Sequence, residues 1–147
     1  PQVTFHEGIP NNDEFDGKHR TLLILDDLMT EAGDGVSNLF TKISHHRNVS
    51  VIFLTQNLYH KSKQARTMSL NTQYLVLFKN PRDATQVATL GRQMYPNNSK
   101  FLVVAFQDAT KRPYGYLLLD LRADTLENYR VRTNIFAGER QYVYIPK

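Results

Sequence analysis

The residues best suited to chemistry are two adjacent acids at the end of an apolar run, Leu22-Leu23-Ile24-Leu25-Asp26-Asp27. A hydrophobic strand that stops in carboxylates is a Walker B pattern, in which the strand fixes the acids at a sheet edge. Asp26 is then the expected Mg²⁺ holder, through water, and Asp27 the group that orients or deprotonates an attacking water. The second acid of such pairs is more often Glu, and Asp is shorter by a methylene. Any buried strand that leaves a core through acids fits the pattern, so taken alone it is weak. A second apolar run, Val49 to Leu54, ends in Thr55-Gln56-Asn57. An uncharged amide at that point can donate to a γ-phosphate or place a water without adding charge beside the metal. Its plainer role is a turn residue bonded to backbone.

Arginine is the expected partner for charge that develops on a transferring phosphate. Arg82 follows a strand directly and Arg66 lies in a basic segment, so these two lead Arg47 and Arg92. Each alone suits a surface ion pair as well. Lys61, Lys63 and Arg66 can touch DNA phosphates, or belong to a solvated loop. His45 and His46 would leave a helix on different faces, a poor metal site but a good fit to a helix C-terminus. Gly115, between Tyr114 and Tyr116, reads as a strand-entry glycine. Nowhere in the 147 residues is there a Gly-x-x-x-x-Gly-Lys-Ser/Thr segment. The backbone amides that cradle β- and γ-phosphates are therefore not encoded here, and this chain alone is expected to be inactive.

The elements that must position these groups follow from periodicity. Continuous apolar runs at Thr21–Leu25, Val49–Leu54 and Tyr74–Phe78 suit strands buried on both faces of a parallel sheet. Val3–Phe5 is a short candidate strand. A helix is expected from Ser37 to His46, carrying Leu39, Phe40 and Ile43 inward. Asp83 can cap a helix with Val87, Leu90 and Met94 on one face, ended by Pro96. Another helix opens at Asn98 or Ser99, with Leu102, Ala105, Phe106 and Ala109 at helical spacing. Strands follow at Tyr116–Leu121, near Tyr129–Arg132 and near Tyr142–Ile145. The expected fold is a single α/β domain over residues 1–147, a mostly parallel sheet flanked by helices. Strand C-termini then share a rim, where Asp26-Asp27, Gln56-Asn57 and Asn80–Arg82 would converge.

Composition narrows the class. An apolar fraction of 41% with eight Tyr and eight Phe indicates a globular chain. Cysteine is absent, which excludes disulfides and thiolate metal sites and fits an intracellular protein. No apolar run is long enough to span a bilayer, and no signal peptide is read. The net charge of +4 favours meeting a polyanion but also suits an ordinary solvated surface. The first residue is Pro1, not Met, which reads as an excised or processed segment.

Several stretches together resemble the packaging ATPases of poxviruses and Maverick/Polinton-type elements, in the FtsK–HerA superfamily of P-loop NTPases. They are Leu22 to Met29, His45 to Asn57, Phe78-Lys79-Asn80-Pro81-Arg82-Asp83, Gly91 to Pro96 and Pro113 to Leu117. The likeness runs from about Phe5 to the C-terminus. It implies part of a RecA-like core without its P-loop strand, and an ATP- and Mg²⁺-dependent motor that moves double-stranded DNA into a capsid. A homo-oligomeric ring, a hexamer by analogy, is implied, with capsid or portal proteins as partners. The implied location is the nucleus or a cytoplasmic virus factory, or the virion. Asp26 and Asp27 would be its Walker B acids and Gln56 its polar sensor. Two other readings stay open: a non-catalytic DNA- or protein-binding module on an ATPase fold, and a metal-dependent nuclease. The nuclease is disfavoured because no further carboxylates end adjacent strands.

Overall fold

Two of the apolar runs form a parallel ladder. β1 (Thr21–Asp26) pairs with β2 (Val49–Leu54) from Thr21 opposite Val49 to Asp26 opposite Leu54. The computed structural model describes residues 3–26, 39, 41, 48–57, 68–82 and 85–147. It divides into two compact units, Pro1–Thr72 and Gln73–Lys147.

In the first unit the ladder buries one face. Leu25 and Val49 join Phe15, Leu39 and Met68 in a core cluster, with Ile9, Leu23, Val51 and Phe53 packed against it. Leu39 belongs to the connection between the strands and Met68 to the one after β2, so through these residues both connections reach the same face. The opposite face is also apolar, yet Leu22 is 58% exposed, Ile24 57%, Ile52 44% and Leu54 46%. Parallel strand pairs are ordinarily covered on both sides. This one has a bare side.

The second unit is an antiparallel sheet with two helices. β3 (Tyr74–Phe78) is followed by α1 (Thr85–Met94), α2 (Lys100–Ala109), β4 (Tyr116–Asp120), β5 (Val131–Thr133) and β6 (Tyr142–Tyr144). The strands lie in the order β3-β4-β5-β6, every pairing antiparallel. β4 is buried along its whole length, as a central strand should be. α1 buries Val87 and Leu90, α2 buries Leu102 and Ala105, and α2 contacts β4.

The expectation of a mostly parallel sheet is overturned: among the described residues only the β1–β2 pair is parallel. An apolar run reports burial, not direction. Direction follows from the connection. A single crossover helix returns the chain to the start of the strand it left, so the next strand runs parallel. Between β3 and β4 there are two helices in mutual contact, which bring the chain back to the end of β3. β4 therefore enters the other way. What survives is the coarse class, mixed helices and strands.

Local expectations fared unevenly. The helices from Val87 to Met94 and Leu102 to Ala109 are present, separated by a 3₁₀ turn at Pro96–Asn98. Val3–Phe5 is not in a strand, and Phe5 is 95% exposed. The stretch near Tyr129 is a 3₁₀ turn (Glu127–Tyr129) before β5 begins at Val131. Of the helix expected from Ser37 to His46 only Leu39 and Thr41 are described, and the Asp83 cap lies outside the described residues.

Gly91 sets how closely α1 and α2 approach. A Cβ there would stand 2.5 Å from the Ser99 carbonyl oxygen and 3.4 Å from Leu102 Cβ. Gly91→Ala should gain helix propensity but force the helices apart. A net loss of roughly 1–2 kcal/mol is expected from urea unfolding; an unchanged or raised midpoint would show that the helices do not meet at this point.

Candidate functional site

Asp26 is the last residue of β1 and is exposed. Among the described residues no hydrogen bond or ion pair engages its carboxylate. Its register partner is Leu54, the last residue of β2, and Gln56 follows two residues later. The ladder spacing is about 4.8 Å, so the acid and the amide leave neighbouring parallel strands on one rim. The β2 exit is shaped by Thr55, whose hydroxyl accepts the Asn57 N–H at 3.2 Å and approaches the Asn57 carbonyl at 3.1 Å. This local turn leaves Gln56 exposed at its tip.

The third polar cluster leaves a strand of a different sheet. Asn80–Arg82 follows β3, a strand of the other sheet and the other unit. Arg82 is exposed, and its backbone N–H donates to Asn80 Oδ1 at 3.1 Å. Arg92 is exposed on α1 and donates to Thr89 Oγ1 at 2.9 Å. Asp27, Lys61, Lys63 and Arg66, with Arg47 and the two histidines at 45 and 46, lie outside the described residues. The rim thus joins Asp26 to Gln56, two of the predicted site residues.

The chemistry of the donors fits Mg²⁺. Asp26 offers hard carboxylate oxygens, and no described cation competes for them. No group of three or more His, Asp or Glu gathers among the described residues. Asp26 would be the residue to hold a magnesium ion, whose charge would offset that of phosphate oxygens.

A second strand also runs from apolar residues into an acid, and its fate is opposite. Asp120 ends β4 at 2% exposure. Its Oδ1 accepts from Arg122 Nε at 3.3 Å and its Oδ2 from Arg132 Nη2 at 2.8 Å. Arg130 braces the same corner, donating to the carbonyls of Asp120 at 3.1 Å and Arg122 at 2.8 Å. Burial pushes the Asp120 carboxyl up, but hydrogen bonds with Thr125 and Arg122, helped by the Arg122 charge, hold it below the usual carboxylate range. Asp120 is a clamp for the sheet. Sequence reasoning passed over it, although Leu-Leu-Leu-Asp followed by three nearby arginines was a readable signal. Thr55 was named only as a strand end.

An open cleft of about 570 Å³ runs between α2 and the C-terminal segment, lined by Phe101, Val104, Asp108, Tyr144 and Ile145 among others. It contains none of the predicted site residues. Comparison with known protein families, with curated proteins and with solved structures found no match.

The two aspartates should separate in a stability assay. Asp26→Asn is expected to change unfolding free energy by less than about 0.5 kcal/mol, as for an exposed side chain with no partner among the described residues. Asp120→Asn should cost about 3 kcal/mol by leaving arginines half buried without their counter-charge. Because the folded Asp120 carboxyl is depressed, its contribution is full above roughly pH 4 and is lost as pH falls through the lower folded value. That part of the acid-unfolding curve should vanish in Asp120→Asn; its persistence would reassign the acid sensitivity.

Proposed function

We propose that this chain supplies the Walker B acids and the sensor amide of an ATP-driven translocase of double-stranded DNA, of the kind that packages viral or transposon genomes into capsids. One observation carries the reading: Asp26 ends β1 and Gln56 follows the adjacent parallel strand β2 on the same rim, both exposed. The resemblance described above supplies the activity. In this reading β1 and β2 belong to a RecA-like core, and the bare face of Leu22, Ile24, Ile52 and Leu54 is where the remainder of that core packs.

Mg·ATP, when bound, supplies the electrophilic phosphoryl group and the metal charge that offsets its oxygens. Asp26 would hold the metal through water. Asp27 takes the proton of the attacking water or aligns it, and Gln56 donates its amide to a phosphate oxygen or to that water. Arg82 and Arg66 are the candidates for meeting charge on the phosphate, within a subunit or across a ring interface. Lys61, Lys63 and Arg66 are the proposed DNA contacts. Work of this kind takes place inside a host cell, in a nucleus or a virus factory, with capsid or portal proteins as partners. No described helix is long and apolar enough to cross a membrane.

A second reading, a non-catalytic DNA- or protein-binding module, is favoured by one observation. The sequence has no Gly-x-x-x-x-Gly-Lys-Ser/Thr segment. The two readings part in a chain joined to a P-loop-bearing segment. The translocase reading expects DNA-stimulated ATP hydrolysis that falls at least about 100-fold in Asp27→Asn and substantially in Gln56→Ala. Wild-type turnover in both variants, or DNA affinity with no hydrolysis at all, would move the assignment to the binding module.

A further inference from the structure

We infer that one rim of the β3–β6 sheet is a binding surface for single-stranded nucleic acid. The four strands alternate in direction, so the ends of β3 and β5 and the starts of β4 and β6 share that rim. Three segments meet there: the residues after β3, the 110–115 loop into β4, and the 134–141 loop from β5 to β6.

Charge distinguishes this rim from the opposite one. Lys79, Arg82, Arg112 and Arg140 are all exposed on these segments, and none of them forms an ion pair among the described residues. Lys111 is already neutralised by Asp108 at 2.7 Å. Glu139 is the acid of the β5–β6 loop, and its carboxylate caps the Phe136 N–H at 3.1 Å. At the opposite rim Arg122, Arg130 and Arg132 are each matched to Asp120, Asp124 or Glu127. Among the described residues, one sheet thus balances its cations at one end and leaves them unbalanced at the other.

Aromatic rings stand among the unbalanced cations. Phe78 is 61% exposed, Phe136 66%, Tyr142 44% and Tyr114 95%. Phe78 and Phe136 flank the buried Tyr116 ring at centroid distances of 6.1 Å and 5.9 Å, which fixes them as a platform. The Arg140 guanidinium lies 5.6 Å from the Tyr142 ring centre. Rings for bases and cations for phosphates are the two components of single-strand binding. The bases of a duplex have their faces covered by their neighbours, so open rings select an unpaired strand.

Tyr114 adds an independent observation. The Arg112–Gly115 turn is closed by the Gly115 N–H donating to the Arg112 carbonyl at 3.0 Å, and Tyr114 takes its third position with φ +61°. That position favours Gly or Asn. Here a large ring is held in left-handed backbone and projected into water, with no burial to offset the strain. A stacking partner gives it a purpose. No step here needs ATP.

The test is fluorescence anisotropy of the full chain with a labelled oligothymidylate of about 12 nucleotides, without ATP or magnesium. Binding is expected, with a log–log salt slope near −3, about −0.7 for each of the four cations. Tyr114→Gly should raise Kd about tenfold, the loss of a base stack, while leaving Tm unchanged or higher because the strain is relieved. Arg82→Ala with Arg140→Ala should flatten the slope by about 1.4, and Arg20→Ala in the other unit should change nothing. No binding at low salt, tighter binding of a duplex of equal length, or wild-type affinity in Tyr114→Gly would each overturn the inference. ATPase activity has no bearing on any of these outcomes.

Discussion

The in-register parallel ladder between Thr21–Asp26 and Val49–Leu54 is the constraint on which the candidate site depends. Hydrophobicity does not choose which side of β1 faces the core, because Leu22 and Ile24 are as apolar as Leu23 and Leu25. Polar residues make the choice. Asp26 and Ser50 share the outer face with Leu22, Ile24, Ile52 and Leu54. Reversing either strand would carry one of them inward, and an unpaired buried carboxylate costs several kcal/mol. The same acid that suits metal chemistry therefore also orients its strand. Once the face and register are set, the position of Gln56 follows from chain length alone.

The two strand-terminal aspartates show what separates a site from a clamp. Asp120 is enclosed, and three arginine side chains are spent on its carboxylate and on the neighbouring carbonyls. Its charge is consumed by the fold. Asp26 is exposed, and no partner engages its carboxylate among the described residues. The same distinction holds between the two ends of the β3–β6 sheet. Local charge balance, more than residue type, separates the two proposed ligand-facing parts of this molecule from its structural clamps.

Much of the secondary structure was legible. The strands at 21–26, 49–54, 74–78 and 116–120, and the helices containing Val87–Leu90 and Leu102–Ala105, are stated by apolar period. Pro96 announces the break between the helices. Topology was harder to read, although its cue was in plain sight: two helices between Phe78 and Tyr116 imply an antiparallel return, whereas one helix implies a parallel one. The number of intervening helices, and not the apolarity of each run, sets strand direction. The Asp26–Gln56 rim was readable because it depends on two successive strands and one crossover. Asn80–Arg82 was misplaced because it was assigned to the same sheet by analogy of position. Val3–Phe5 pairs with no strand among the described residues.

The bare apolar side of the β1–β2 ladder has a further consequence. Covering four half-exposed aliphatic side chains is worth roughly 4 kcal/mol, a large share of the net stability of a small unit. That contribution is present when something is packed on the face and absent otherwise, so it is governed by mass action. Substitutions at Leu22, Ile24, Ile52 or Leu54 would then register as nearly silent in dilute protein and as severe in an assembled state. For these positions sequence tolerance measures occupancy of the face, and not the strength of the fold beneath it.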